Sequence, residues 1–204
     1  MIHPRRTSEW LFVAIAAFAL IVRLNNIAFG LPSLYDPDEP LFIVKAATLL
    51  SEGTLNPRWF GHPASTTIYL TAVIEALVFG WGVIAGRYGN VSDFIAAAYV
   101  DPGVLFLPVR MAMALLGAAC VGLTFALGKR LFGTAAGILA ALLLALNSLH
   151  IAWSQVVRSD VQASAFMLAA LIFAVRLGET GRTKREADWV RGHSPAGPSF
   201  IHSS

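Results

Sequence analysis

Four stretches of the chain stay uncharged, or nearly so, over the length a helix needs to cross a bilayer, and polar segments separate them. A hydrocarbon core of about 30 Å takes roughly 20 helical residues. The first stretch runs from Trp10 to Phe29, with Arg23 near its far end. The second is uncharged from Met111 to Gly128 and is entered through Pro108 and Arg110. The third lies within Leu131 to Val157. The fourth, Val161 to Val175, is short, but Asp160 and Arg176 at its ends can reach an interface with their polar heads. Trp10 and Trp153 lie near segment ends, as interfacial tryptophans do. No small-residue cleavage site follows Phe29, so the first stretch reads as a span rather than a signal peptide. The pattern predicts an all-α, multi-pass membrane protein.

A fifth apolar stretch, Pro63 to Gly86, is long enough to cross but carries Glu75 at its middle. A carboxylate at the bilayer centre costs at least a few kcal/mol. The basic residues supply a second criterion. Arg5 and Arg6 precede the first span, Lys129 and Arg130 join the second and third, and a cluster from Arg176 to Arg191 follows the fourth. These fall on one side only if Pro63 to Gly86 does not cross. That side then holds nine basic and four acidic residues, and the opposite side six basic and eight acidic. Such sorting obeys the positive-inside rule and places the N-terminus in the cytoplasm of a cell (plasma or inner) membrane. Pro63 to Gly86 is accordingly read as a surface or re-entrant helix within one long outer loop, residues 30–103.

Composition agrees with this picture and narrows it. The 204 residues are 56% hydrophobic and only 13% charged, with a mean hydropathy of +0.66. Soluble domains carry about a quarter charged residues, so a soluble enzyme, a disordered chain and a disulfide-stapled domain are excluded. Cys120 is the single cysteine, which leaves no intrachain disulfide or cysteine-based zinc site. A net charge of +3 would suggest nucleic acid in a soluble protein, but here it reports membrane topology, and no nucleic-acid partner is implied.

The outer loop holds the candidate chemistry. It contains six prolines, which enforce turns, and Pro40 to Ser51 is predicted to be an interfacial helix that stops at Gly53. The cluster Asp36-Pro37-Asp38-Glu39 follows the first span directly, and Gly61-His62-Pro63 opens the apolar surface helix. Arg110 sits at the outer mouth of the second span, and Arg158-Ser159-Asp160 forms the outer turn between the third and fourth. Carboxylates and arginines at one membrane face suit group transfer from a lipid carrier. The acids activate a hydroxyl or amine while the guanidiniums hold a lipid-linked phosphate that leaves. Each element also has a plainer reading. The acidic cluster could be a capping turn, His62 a loop residue, Arg110 a snorkelling anchor, and Arg158 with Asp160 a local ion pair.

The order of these elements resembles a known family. An Asp38-Glu39 pair follows the first span, and Gly61-His62-Pro63 opens a hydrophobic helix. Leu-Pro-Val-Arg (Leu107 to Arg110) enters the second span, and a Lys-Arg-Leu-Phe-Gly turn (Lys129 to Gly133) leaves it. An Ala/Leu-rich helix ending Asn-Ser-Leu-His-Ile and an Arg-x-Asp turn (Arg158 to Asp160) complete the series. Over about residues 8 to 178 the chain resembles the N-terminal part of a GT-C fold glycosyltransferase of the dolichyl-phosphate-mannose protein mannosyltransferase type (glycosyltransferase family 39) and its bacterial relatives. It is similar, less closely, to the aminoarabinose transferases that modify lipid A.

The resemblance implies a GT-C transmembrane helical bundle of about four spans plus interfacial helices. It implies inverting transfer of a sugar from a polyprenyl-phosphate donor to a protein, lipid or glycan acceptor on the extracytoplasmic face. Asp38 matches the first-loop carboxylate that acts as base, with Glu39 beside it, and Asp160 matches the second acidic position. Arg110 and Arg158 match positions that would hold the carrier phosphate. His62 matches the start of a His-Pro-Pro element, with Ala64 and Ser65 standing where its second proline would begin. Some GT-C enzymes use a divalent metal, but no ligand set here assigns one, and no other cofactor is implied. Family members carry more spans, so the chain is read as truncated or frame-shifted near Lys184: residues 1–178 belong to the transmembrane domain, and 179–204 form a polar tail that is disordered or aberrant. A reading from a different class is a small non-enzymatic membrane protein, or accessory subunit, that binds lipid-linked phosphate.

Overall fold

The computed structural model describes residues 4–33, 35–58 and 65–192, with side chains for 10–33, 35–58 and 65–181. Among the described residues there is no strand. Eight helices follow one another: α1 (Pro4–Leu24), α2 (Glu39–Glu52), α3 (Ser65–Ile84), α4 (Val91–Val100), α5 (Gly103–Phe132), α6 (Thr134–Ala145), α7 (Ser148–Trp153) and α8 (Ser159–Gly192). His62 lies outside the described residues.

The architecture is organised by α5, against which α1, α3, α6 and α8 pack. Its buried positions include Val109, Arg110, Met113, Ala114, Gly117, Cys120, Val121 and Phe125, so it presents apolar or small residues in several directions. A helix apolar all round belongs at the centre of a bundle. Close approach to α6 depends on glycine. A Cβ built on Gly137 would lie 2.7 Å from the backbone nitrogen of Lys129 and 2.8 Å from the carbonyl oxygen of Phe125. Small residues of this kind let membrane helices touch backbone to backbone. Three clusters make up the interior: Phe42, Ile43, Ala46 and Leu49 of α2 meet Ile68 and Ala72 of α3 and Val109 and Met113 of α5, Ile15 and Ala19 of α1 meet Val121, Phe125, Ala141 and Ala145, and Cys120 of α5 meets Val161 and Ala165 of α8.

The outward faces are apolar too. Trp10, Val13, Ile21, Leu77, Trp81, Phe166, Phe173 and Leu177 are all exposed. In water this would be a large aggregating patch; around a bundle it is the surface offered to acyl chains. Three helices are long and apolar enough to cross a membrane, Ser65–Ile84, Gly103–Phe132 and Ser159–Gly181. α2 matches its sequence expectation, with Pro40 in its first turn and Gly53 as a left-handed cap at φ 63°.

Several boundaries differ from the sequence reading, each for a local reason. α5 begins at Gly103 and runs through Pro108, which lacks the N–H that would bond the carbonyl of Val104. The third expected span is broken after α6, whose 12 residues reach only about 18 Å. The break falls at Asn147, whose side-chain oxygen accepts the backbone N–H of His150 at 2.8 Å and caps α7. α3 qualifies by length and hydropathy as a crossing helix. Glu75, which counted against that, is turned into the protein and is 2% exposed. α4, which the hydrophobic pattern did not single out, is held by a capping box between Asn90 and Asp93. Finally, α8 continues as helix to Gly192, into the polar stretch 179–204 read from the sequence as a disordered or aberrant tail. A helix already nucleated propagates readily into Glu-, Lys-, Arg- and Ala-rich sequence.

Candidate functional site

Asp38 and Glu39 are neighbours with opposite fates. Glu39 opens α2 and points inward, where it meets Arg110, the last residue of the Leu-Pro-Val-Arg entry to α5. Both side chains are fully buried. Arg110 donates from Nε to Glu39 Oε1 at 2.9 Å and from Nη2 to Oε2 at 2.5 Å. Its Nη1 donates to the carbonyl oxygens of Ile27 and Phe29 at 3.0 and 2.8 Å, and the Phe29 ring lies 4.9 Å from the guanidinium carbon. Glu39 Oε1 also accepts the backbone N–H of Val157 at 2.7 Å. One buried ion pair thus joins the end of α1, the start of α2, the body of α5 and the turn before α8. A fork-to-carboxylate pair with its other donors satisfied is the arrangement in which burial of two charges is tolerated. Arg110 therefore has no exposed surface with which to hold a carrier phosphate, and Glu39 has none with which to meet an acceptor. Both act here as structural anchors.

Asp38 faces outward and is 49% exposed. Its partner is Arg158 in the turn before α8, with Nη2 at 2.8 Å from Asp38 Oδ2. The same guanidinium reaches Asp36 Oδ2 at 3.4 Å and Asp160 Oδ2 at 3.5 Å. The Arg158 guanidinium carbon lies over the Trp153 ring, 4.3 Å from the ring centre, a cation–π contact. Asp36 is the most enclosed of the three acids, and its Oδ1 accepts the backbone N–H of Asp38 at 2.9 Å. Asp160 is the most open, at 61% exposure. Three carboxylates around one arginine leave a net negative, accessible face. Such a face can accept a proton from a hydroxyl; an anion approaching Arg158 has to displace one of the two longer contacts.

Beneath this face lies a polar cluster that the hydrophobic pattern did not reveal. Arg23 folds back from the end of α1 and is fully buried. It donates to the Ala19 and Leu144 carbonyls at 2.9 and 3.4 Å and to Ser154 Oγ at 3.3 Å, and Nη2 lies 2.8 Å from His150 Nδ1. Gln155 Nε2 donates to the Arg23 and Asn25 carbonyls at 3.1 and 2.7 Å, closing the end of α1. These contacts set the position of the 154–158 turn, and hence of Arg158. Among the described residues no group of three or more His, Cys, Asp or Glu side chains is placed to hold a metal ion.

Sequence order had placed Asp38, Glu39, Arg110, Arg158 and Asp160 at one face, and the fold brings them together. It adds Asp36 and Trp153 as partners of Arg158. Asp36 was visible within the acidic cluster; Trp153 carried only the signal of an interfacial tryptophan.

Residues 94–190 match the family model described as dolichyl-phosphate-mannose-protein mannosyltransferase. The match covers 97 of the 204 residues, and over it the chain is similar to that family. The matched segment runs from within α4 nearly to the end of α8 and includes Arg110, Trp153, Arg158 and Asp160. No curated protein and no solved structure matches the chain. Asp36, Asp38 and Glu39 precede the matched segment but are bound to it through Arg110 and Arg158. The mannosyltransferase family implies a membrane glycosyltransferase that uses a lipid-linked sugar donor and an acceptor.

Proposed function

We propose that the chain carries the acceptor-activating face of a membrane glycosyltransferase that moves a hexose from a polyprenyl-phosphate donor. The observation that carries this reading is the exposed Asp38 carboxylate, held 2.8 Å from Arg158 beside a second exposed acid, Asp160. In the proposed step an acceptor hydroxyl gives its proton to Asp38 Oδ while its oxygen attacks the anomeric carbon from the face opposite the phosphate. The carbon–oxygen bond to the carrier breaks, polyprenyl phosphate leaves with the electron pair, and the anomeric configuration inverts. Asp160 shapes the acceptor side. Arg158 meets the departing phosphate by exchanging its long contacts to Asp36 and Asp160, while Asp38 stays paired. The contacts of Arg110 with the Ile27 and Phe29 carbonyls support one shared face for the end of α1 and the start of α5, whichever way α3 lies. With the basic residues at the start of α1 and the end of α5 at the opposite face, the Asp38 face is extracytoplasmic. The acceptor is a hydroxyl of a protein, lipid or glycan.

The test is turnover of polyprenyl-phosphate mannose in membranes containing the chain, followed by release of polyprenyl phosphate. Removing a general base typically lowers the rate about 10²–10⁴-fold, and Asp38→Asn is expected to do so without changing membrane insertion. Asp160→Asn is expected to lower turnover as well. Wild-type turnover indistinguishable from empty membranes, or an Asp38→Asn chain as active as wild type, overturns the proposal.

A further inference from the structure

His150 lies in α7, just before the turn that carries Arg158, and its contacts allow one form of the ring. Nδ1 is 2.8 Å from Arg23 Nη2 and 3.3 Å from Ser154 Oγ. A guanidinium only donates, so Nδ1 accepts with its lone pair and the neutral ring carries its hydrogen on Nε2. Ser154 gives its own proton to the His150 carbonyl at 2.5 Å, which leaves Oγ as the acceptor for Arg23 Nε at 3.3 Å. Nε2 is buried and has no hydrogen-bond partner. The bond from Arg23 is therefore what holds the ring.

α7 packs against α1, α6 and α8. Among the described side chains α1 contributes Arg23 and α6 no titratable group, while α8 contributes Asp160, which pairs with Arg158, and Arg176 and Glu179 further along the helix. On α5, Cys120 neighbours Arg23. The hydrogen bonds of Arg23 and His150 include no carboxylate. A proton on Nδ1 would face the guanidinium directly. Burial and that charge pull the His150 pKa from 6.5 down to about 4, and α7 is not among the crossing helices.

We propose that His150 is a positioning residue that works only when neutral: its Nδ1 lone pair fixes Arg23, and Arg23 with Ser154 fixes the turn that seats Arg158. A proton on Nδ1 turns that hydrogen toward Ser154 Oγ and drives the guanidinium from both contacts, so the turn loosens. The latch itself does not depend on the transfer reaction; its effect on turnover rests on the proposed role of the Asp38 face.

Hydrogen exchange across residues 148–158, read by mass spectrometry on the full chain in detergent, measures the latch without a transfer assay. At pH 7 His150→Phe, which removes the acceptor, is expected to raise exchange about tenfold, the effect of losing one hydrogen bond to a charged group. His150→Asn, whose Oδ1 stands where Nδ1 does, is expected to keep wild-type protection. After correction for the intrinsic pH dependence of exchange, the wild-type segment is expected to lose protection as the pH falls toward about 4, and His150→Asn to keep it. In ¹⁵N-histidine NMR at pH 7, the signal absent from His150→Asn is expected to be that of the Nε2–H tautomer. An Nδ1–H tautomer, wild-type protection in His150→Phe, exchange in His150→Asn as fast as in His150→Phe, or equal acid loss in wild type and His150→Asn would each overturn the proposal. The expected exchange pattern in a chain without turnover supports the latch and overturns the transfer reading alone.

Discussion

Replacing Glu39 by alanine probes the joint on which the Asp38 face is built. The substitution leaves the Arg110 guanidinium buried without its counterion and removes the acceptor of the Val157 N–H. Breaking a buried pair by deleting one partner costs about 3–5 kcal/mol, and an orphaned buried N–H adds about 1–3 kcal/mol. Two carbonyls, of Ile27 and Phe29, still accept from Arg110, so the lower part of the combined range is expected, about 4 kcal/mol. For a domain of this size that is a fall in melting temperature of roughly 8–16 °C. Thermal unfolding of the detergent-purified chain measures it. The double variant Glu39→Leu/Arg110→Met is expected to recover most of the loss, because apolar replacement of both partners is often neutral; the Val157 N–H remains unpaired and keeps part of the cost. A loss below about 1 kcal/mol in Glu39→Ala, or a double variant no more stable than the single ones, would refute the assignment of this pair as the structural anchor.

Other contacts give sharper local tests. Gly137→Leu forces side-chain atoms against the α5 backbone and is expected to cost about 1–3 kcal/mol as overpacking, read as a lower melting temperature in detergent. Asn147→Ala removes the cap of α7; a loss of about 1 kcal/mol is expected, and Asn147→Asp, which can cap, is expected to retain stability. Thr67 Oγ1 donates to Gln162 Oε1 at 2.6 Å between α3 and α8, with both side chains buried. Either Thr67→Val or Gln162→Leu is expected to cost about 1–3 kcal/mol, and the two together less than their sum, which a double-mutant cycle measures.

The hydrophobic pattern shows an all-helical membrane chain, and the order of polar motifs shows which residues meet at one end of the bundle. What it cannot show is which of two adjacent acids turns inward. Asp38 and Glu39 are one residue apart, and the start of α2 sends one to solvent and the other to Arg110, a residue 71 positions away along the chain. Arg110 reads equally as an interfacial anchor or a phosphate ligand until that partner is in place. Arg23 is harder still. Its contacts to Ser154 and His150 span more than 120 residues, and nothing periodic announces them. Asn147 did carry a signal, since asparagine followed by serine favours a helix start over a helix interior, yet the apolar run on either side masks it. The continuation of α8 was hidden because polar sequence without an apolar stripe gives no periodicity, although its residue types favour helix.

Asp38 and Asp160 are proposed to lie on the extracytoplasmic face and Arg130 on the opposite one. Labelling of single-cysteine variants with a membrane-impermeant maleimide, in a Cys120→Ala background, measures this most directly. Asp38→Cys and Asp160→Cys are expected to react in intact cells, and Arg130→Cys only after permeabilisation. Reaction of Arg130→Cys in intact cells, or protection of either aspartate position there, would contradict the shared outer face and the proposed transfer site.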